Sequence, residues 1–263
     1  MKTASEYVII HLSLKTNRRR CGLNTVLEVK DLAITFGSNQ VLSSLSFEVN
    51  SNEVLGVIGP NGAGKTVLLN ILTGILKPSG GKVLFLGADI LGKSITERTR
   101  IGIGRTFQIP RPFQKMTVFE NIIIGGVYGD GLSEKAAAAS AFDLTEMIGL
   151  SDKIETLAGK LGLLDRKRLE IGVALASRPK LLLIDEVAGG LTESEVVTIL
   201  DIVRTVKEQG VSVIWIEHVI ETMMRGTDRV MCLADGRNVI CGAPEEVMRS
   251  GEVHDVYLGV DEE

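Results

Sequence analysis

Residues 54–76, VLGVIGPNGAGKTVLLNILTGIL, pass from an almost unbroken apolar run through a glycine-rich turn into a second apolar run of helical length. A strand that is apolar at nearly every position has both faces covered, so it belongs inside a sheet packed between other layers. The chain is therefore expected to build an α/β core around this segment. Hydrophobic residues make up 44% of its 263 positions, enough to fill such a core.

The rest of the chain fits the same plan. LEVKDLAITFG from Leu27 and VLSSLSFEV from Val41 alternate apolar and polar residues around the turn-prone GSN at 37–39, as a half-exposed antiparallel pair does. GKVLFLG at 81–87 and IGIGRTF at 101–107 read as further strands, the second leading into the proline-bracketed loop QIPRPF. From Val118 to about Ala176 the pattern is helical. LLLI at 181–184, VSVIWI at 211–216 and RVMCLA at 229–234, with a helical stretch at 193–208, restore the β-α-β rhythm of a parallel sheet.

GPNGAGKT, Gly59 to Thr66, satisfies G-x-x-x-x-G-K-S/T directly after a strand and before a helix. With glycine at Gly59, Gly62 and Gly64, the backbone can curl through Pro60, Asn61 and Ala63 into a nest of N–H donors for phosphate, and the helix N-terminus adds positive potential. Lys65 would neutralise the outer phosphates, and the Thr66 hydroxyl would ligate Mg²⁺. Asp185 and Glu186 close LLLI, at a strand end where α/β sheets bind ligands. Asp185 would hold Mg²⁺ through water, and Glu186 would orient or deprotonate an attacking water. Alone, such an acid pair also fits a solvated sheet edge or a helix cap.

These segments together resemble the ATP-binding cassette of ABC transporters: an α/β P-loop NTPase with a RecA-like parallel sheet core, an antiparallel β subdomain and a helical insert. The resemblance runs from about residue 27 to the chain end. It implies one ABC ATPase domain at 26–250 with a helical subdomain at about 110–170, an N-terminal extension at 1–25 and a tail at 251–263. It further implies that Gln108 senses the γ-phosphate and Mg²⁺ while facing a transmembrane partner, that His218 contacts the γ-phosphate, and that Phe36 stacks on adenine. ATP and Mg²⁺ are the implied cofactors. Implied partners are a second cassette, transmembrane permease subunits and, indirectly, a solute-binding protein, on the cytoplasmic face of the membrane. GRTFQIPRPFQKMTVFENIIIG, RKRLEIGVALASRPKLLLIDEVAGGLT and VYLG are most similar to the ATPase subunits of branched-chain amino acid importers. Importers of urea, short amides or aromatic acids share this style.

Some positions depart from the family pattern. Leu161, Gly162, Leu163, Leu164 and Asp165 stand where the family has LSGGQ or LSYGQ, the loop that closes over a partner's ATP. Gly162 lacks the serine hydroxyl, Leu164 blocks close backbone approach, and Asp165 reads as the N-cap of a helix starting at Arg166. Val67 replaces a threonine that donates to the α-phosphate, Val187 a proline, and AGGLT an Asp-bearing loop. A heterodimer with a cassette of fuller signature is therefore the expected assembly, with a homodimer as the alternative.

The alternative of a soluble ABC ATPase acting without a permease, such as a DNA-repair or translation-linked cassette, is disfavoured by the single cassette, the compact insert and the net negative charge. A net charge of -4 gives no basic field for nucleic acid, and NRRR at 17–20 is too short to reverse that. The longest apolar runs fall far below the roughly 20 residues of a membrane span. At the N-terminus the basic run follows the apolar centre, the reverse of a signal peptide. Cys21, Cys232 and Cys241 are scattered, as befits reduced structural thiols.

Overall fold

The computed structural model describes residues 25–258. All but the last residue of the extension expected at 1–25 therefore lies outside the described residues, as do Cys21 and positions 259–263 of the tail. β1 (Thr25–Phe36) and β2 (Asn39–Asn50) form the antiparallel hairpin the alternation predicts. β3 (Val54–Ile58) is buried at every residue and feeds α1 (Lys65–Thr73) through the glycine-rich turn. β4 (Gly80–Phe85) pairs with β1 and with the short β5 (Ala88–Asp89), giving a four-stranded sheet in the order β2-β1-β4-β5.

The region expected as a strand at 101–107 is shorter than its pattern predicts. α2 (Ile95–Ile101) starts at a capping box in which Ser94 and Glu97 satisfy each other's backbone N–H, and it ends at the left-handed Gly102. β6 is confined to Ile103–Arg105. The helical stretch then resolves into α3 (Val118–Ile124), a π turn over Gly125–Asp130, α4 (Glu134–Met147) and α5 (Leu163–Ala176). β7 (Leu181–Asp185), α6 (Glu193–Glu208), β8 (Ser212–Ile216), α7 (Ile220–Gly226), β9 (Arg229–Ala234) and β10 (Arg237–Gly242) follow. α8 (Pro244–Met248) and α9 (Gly251–Leu258) complete the described chain.

The second sheet runs β10-β9-β3-β8-β7-β6, parallel throughout except for β10. Its central strands alternate between two cores. Leu55 and Val57, Leu181 and Leu183, and Ile214 and Ile216 pack toward α1 and the antiparallel sheet. Val54 and Ile58, Leu182 and Ile184, and Val213 and Trp215 pack toward the helices on the other face. Period-two alternation between two buried faces explains why these strands read as unbroken apolar runs.

β3, β6, β7 and β8 all run the same way, so their carboxyl ends open on one edge of the sheet. Gly59 lies just past β3, Thr106 past β6, Glu186 past β7 and Glu217 past β8. The candidate site residues other than Phe36 converge on that edge. Phe36 ends β1 and is 47% exposed, and the hairpin it belongs to reaches the site through β2, whose Val41 and Leu42 abut Gly64.

Candidate functional site

The turn after β3 is held open by glycine. Gly59 has φ 148, and a Cβ there would fall 2.0 Å from the Leu233 carbonyl oxygen of β9. Gly64 has φ 100 and begins α1 without any side-chain cap, so the first-turn N–H groups face the concave turn. Lys65 is almost fully buried and folds back over the loop, its Nζ donating to the carbonyls of Gly59 at 2.6 Å and Pro60 at 3.0 Å. Burial lowers its pKa, while the nearby Glu186 and Asp185 carboxylates and Cys232 act in the opposite direction. Thr66, one residue on, is exposed at the helix start, and Val67 packs partly into the core instead of facing the turn alone.

Asp185 ends β7 with its side chain buried. Its Oδ2 pairs with Arg105 Nη2 at 3.1 Å, whereas Oδ1 is buried without a hydrogen-bond partner. Burial raises the pKa of this carboxyl, and the Arg105 guanidinium opposes the rise. Arg105 is itself fixed by Asn70 Oδ1 of α1 at 2.6 Å. A buried carboxylate oxygen without a partner, on a side chain that also feels the Lys65 charge, fits a hydrated cation held mainly by phosphate oxygens, the habit of Mg²⁺. Among the described residues no three His, Cys, Asp or Glu side chains cluster tightly enough to hold a metal unaided.

Glu186 sits just beyond the strand with φ 48, a left-handed conformation that turns its side chain off the sheet line. Its Oε1 meets His218 Nε2 at 2.6 Å, and its Oε2 accepts from Gln108 Nε2. The three residues expected to act on the water and the γ-phosphate thus form one hydrogen-bonded set, drawn from the ends of β6, β7 and β8.

Residues 42–189, more than half of the chain, match the ABC transporter family. The chain belongs to that family. This cassette is 32% identical over 251 residues to the probable branched-chain amino acid transport ATP-binding protein LivG of Methanocaldococcus jannaschii, covering 89% of this chain and 97% of that protein. It is also 32% identical over 235 residues to the lipopolysaccharide export system ATP-binding protein LptB of Haemophilus influenzae, covering 89% and 98%. The crystal structure of the ADP conformation of an ABC transporter ATP-binding cassette superposes with a TM-score of 0.82 at 31% identity, covering 89% of this chain and 99% of that one. The protein is accordingly a nucleotide-binding ABC ATPase with the P-loop NTPase fold.

In the cassette's signature segment the structure corrects one expectation. Asp165 is not the N-cap. α5 begins at Leu163 with Gly162 as the cap residue and no side-chain cap bond, which leaves Asp165 in the first turn. Its oxygens are taken by Lys153 Nζ at 2.5 Å and Arg168 Nη1 at 3.3 Å. Two cations outcompete the backbone N–H as partners for a carboxylate, and they also neutralise the charge that Asp165 brings to this position.

Several residues of the site escape a reading by motif. Lys167 is buried on α5 and donates to the carbonyl oxygens of Glu186 at 3.3 Å and Val187 at 2.7 Å. Its pKa is lowered by burial, against the pull of Glu217, Glu186 and Glu170. Glu217 accepts from the Ala188 N–H at 2.6 Å and so fixes the AGGLT loop, and burial raises its pKa. Tyr257 of α9 accepts the Gly59 N–H at 2.9 Å. The usable signal in each case is a charged or polar residue inside an apolar stretch or on a buried helix face, which must have a partner.

Proposed function

We propose that this chain is the energy-coupling ATPase of an ABC importer, with branched-chain amino acids as the substrate class. The observation that carries the catalytic part is the Glu186 carboxylate held between His218 and Gln108 at the mouth of the phosphate turn. Glu186 accepts the proton of an attacking water, His218 and Gln108 fix its two oxygens, and Lys65 with the α1 N-terminus binds the outer phosphates. Thr66, Gln108 and Asp185 are the residues that would hold Mg²⁺. When bound, Mg²⁺ supplies neutralisation of the developing phosphate charge. Phe36 offers an exposed ring for stacking on the base.

Coupling to a membrane partner would use an apolar groove on this chain. A groove of about 410 Å³ lies between α2, the Gln108 loop and the helical insert. Ile95, Phe107, Phe113 and Tyr128 line it and are exposed. Exposed apolar side chains gathered in one groove mark an interaction surface, and this one includes the segment that carries Gln108. A permease element seated there would feel, and report, the state of the nucleotide site. No helix of the described residues is long and apolar enough to cross a membrane. The altered residues at 161–165 favour a heterodimer, in which a second cassette supplies the fuller signature over this chain's nucleotide.

The importer reading rests on the LivG proteins among the relatives. The equal identity to LptB, whose name describes an export system, supports a second reading as an exporter ATPase. Purifying the tagged chain from its native membranes separates the two. Recovery of two permeases, a second cassette and a solute-binding protein is expected. Recovery of export components without a solute-binding protein would replace the import reading with export.

A further inference from the structure

The loop that carries Gln108 leaves the sheet abruptly. Thr106 N–H still donates to Leu183 O at 2.9 Å, and from Phe107 onward no strand partner continues the ladder. Pro110 and Pro112 have no N–H, which limits how the segment can be anchored through its backbone. The anchor comes from one side chain on α5. Glu170 Oε1 accepts the Phe107 N–H at 2.6 Å, and Oε2 accepts the Arg111 N–H at 3.1 Å. One carboxylate therefore spans the loop from the residue before Gln108 to three residues after it.

Lys167 stands three positions earlier on the same helix, on the same face. Its ammonium grips the backbone carbonyls of Glu186 and Val187, immediately after β7. The two side chains of α5 hold the two segments whose side chains meet as the Gln108–Glu186 hydrogen bond. We propose that Glu170 is a positioning residue for hydrolysis, setting the Gln108 loop against Glu186 in concert with Lys167. The proposal rests on the catalytic reading given above. It has a mechanical corollary: α5 begins at the signature position, so a displacement of its first turn by a partner's nucleotide moves Glu170 and Lys167, and with them this chain's own Gln108 and Glu186.

The test uses the complex purified from membranes through a tag on this chain, with Mg·ATP as the probe. Glu170→Ala is expected to lower kcat by about ten- to a hundredfold, as a small misplacement of reacting groups does. KM for ATP should stay within about twofold, because the phosphate turn and the base site do not touch Glu170. Glu170→Gln keeps one acceptor oxygen and is expected to recover part of the loss. In hydrogen exchange, the amides of Phe107 and Arg111 should lose protection in the Ala variant while those of β3 and β8 keep theirs. Unchanged kcat, unchanged amide protection, or a fall in activity matched by loss of the permeases from the complex would each overturn the proposal, the last by making Glu170 a docking residue. A wild-type complex that hydrolyses no ATP would overturn the functional reading and this inference with it. Normal wild-type hydrolysis with a fully active Ala variant would sink the inference alone.

Discussion

The hydroxyl of Tyr257 accepts the backbone N–H of Gly59 at 2.9 Å, so the last described helix touches the first residue of the phosphate turn. Val253 of the same helix is buried in the main core, and the Tyr257 ring packs against it. Replacing Tyr257 by Phe keeps that packing and removes only the acceptor. An N–H left without a partner in a partly buried place costs about 1 kcal/mol or more. In a chain of this size that lowers Tm by about 2–4 °C per kcal/mol. Calorimetric melts and ATP titrations of Tyr257→Phe are expected to show both a lower Tm and weaker nucleotide binding. Identical curves would make the hydroxyl a bystander.

Glu186→Gln separates binding from chemistry. The amide keeps a hydrogen-bonding shape between His218 and Gln108 but has no basicity to take a water proton. Turnover is expected to fall by about 10²-fold or more, with ATP affinity close to the wild type in equilibrium titrations. Equal turnover in the two proteins would remove Glu186 from the mechanism.

Legibility in the sequence follows from where each signal lies. The strands at 181–184, 211–216 and 229–234 are legible because burial of both faces leaves no polar interruption. The turn at 59–66 is legible because phosphate chemistry restricts residue types at fixed spacing. α2 is not separated from the strand after it, although Ser94 and Glu97 form a capping box, because Ile101 and Ile103 continue an apolar pattern across the helix end. Asp165 shows the limit more sharply. A cap residue and an ion-paired residue look alike in sequence, and the choice was made by Lys153, 12 positions upstream, together with Arg168. Arg105, Lys167 and Glu170 act through partners distant in the chain, which no local pattern records.

Glu170 also predicts a pH dependence of stability. Burial pushes its carboxyl from 4.5 up to about 7, against its two backbone N–H donors and the charges of Arg111 and Lys167. Between those two values the folded chain keeps a proton that the unfolded chain has released, so stability falls as pH rises through the window. At about 1.4 kcal/mol per pH unit, the full effect is on the order of 3 kcal/mol. Urea unfolding from pH 4.5 to 8 is expected to show a steeper loss in the wild type than in Glu170→Gln, which has nothing to titrate. Parallel slopes would mean that the carboxylate stays ionised in the fold.

The signature segment offers the test of asymmetry. Gly162 is the cap residue of α5 with extended backbone at φ -68, and a Cβ built there meets nothing within 4 Å. A serine therefore fits without strain, and its hydroxyl restores the donor that the family pattern places over a partner's nucleotide. As a cap it stabilises α5 by only a few tenths of a kcal/mol relative to glycine, so any large gain in activity must come from the nucleotide. In a composite site, two copies of this chain lack that donor at both nucleotides, whereas a heterodimer lacks it at one. Gly162→Ser is thus expected to raise the ATPase rate of the lone chain by about fivefold, the equivalent of one hydrogen bond near 1 kcal/mol. The effect in the native complex should be confined to the site that faces this chain's α5. A lone wild-type chain already as active as the complex would show that residues 161–165 serve hydrolysis unaltered, and the case for an unlike partner would fall with it.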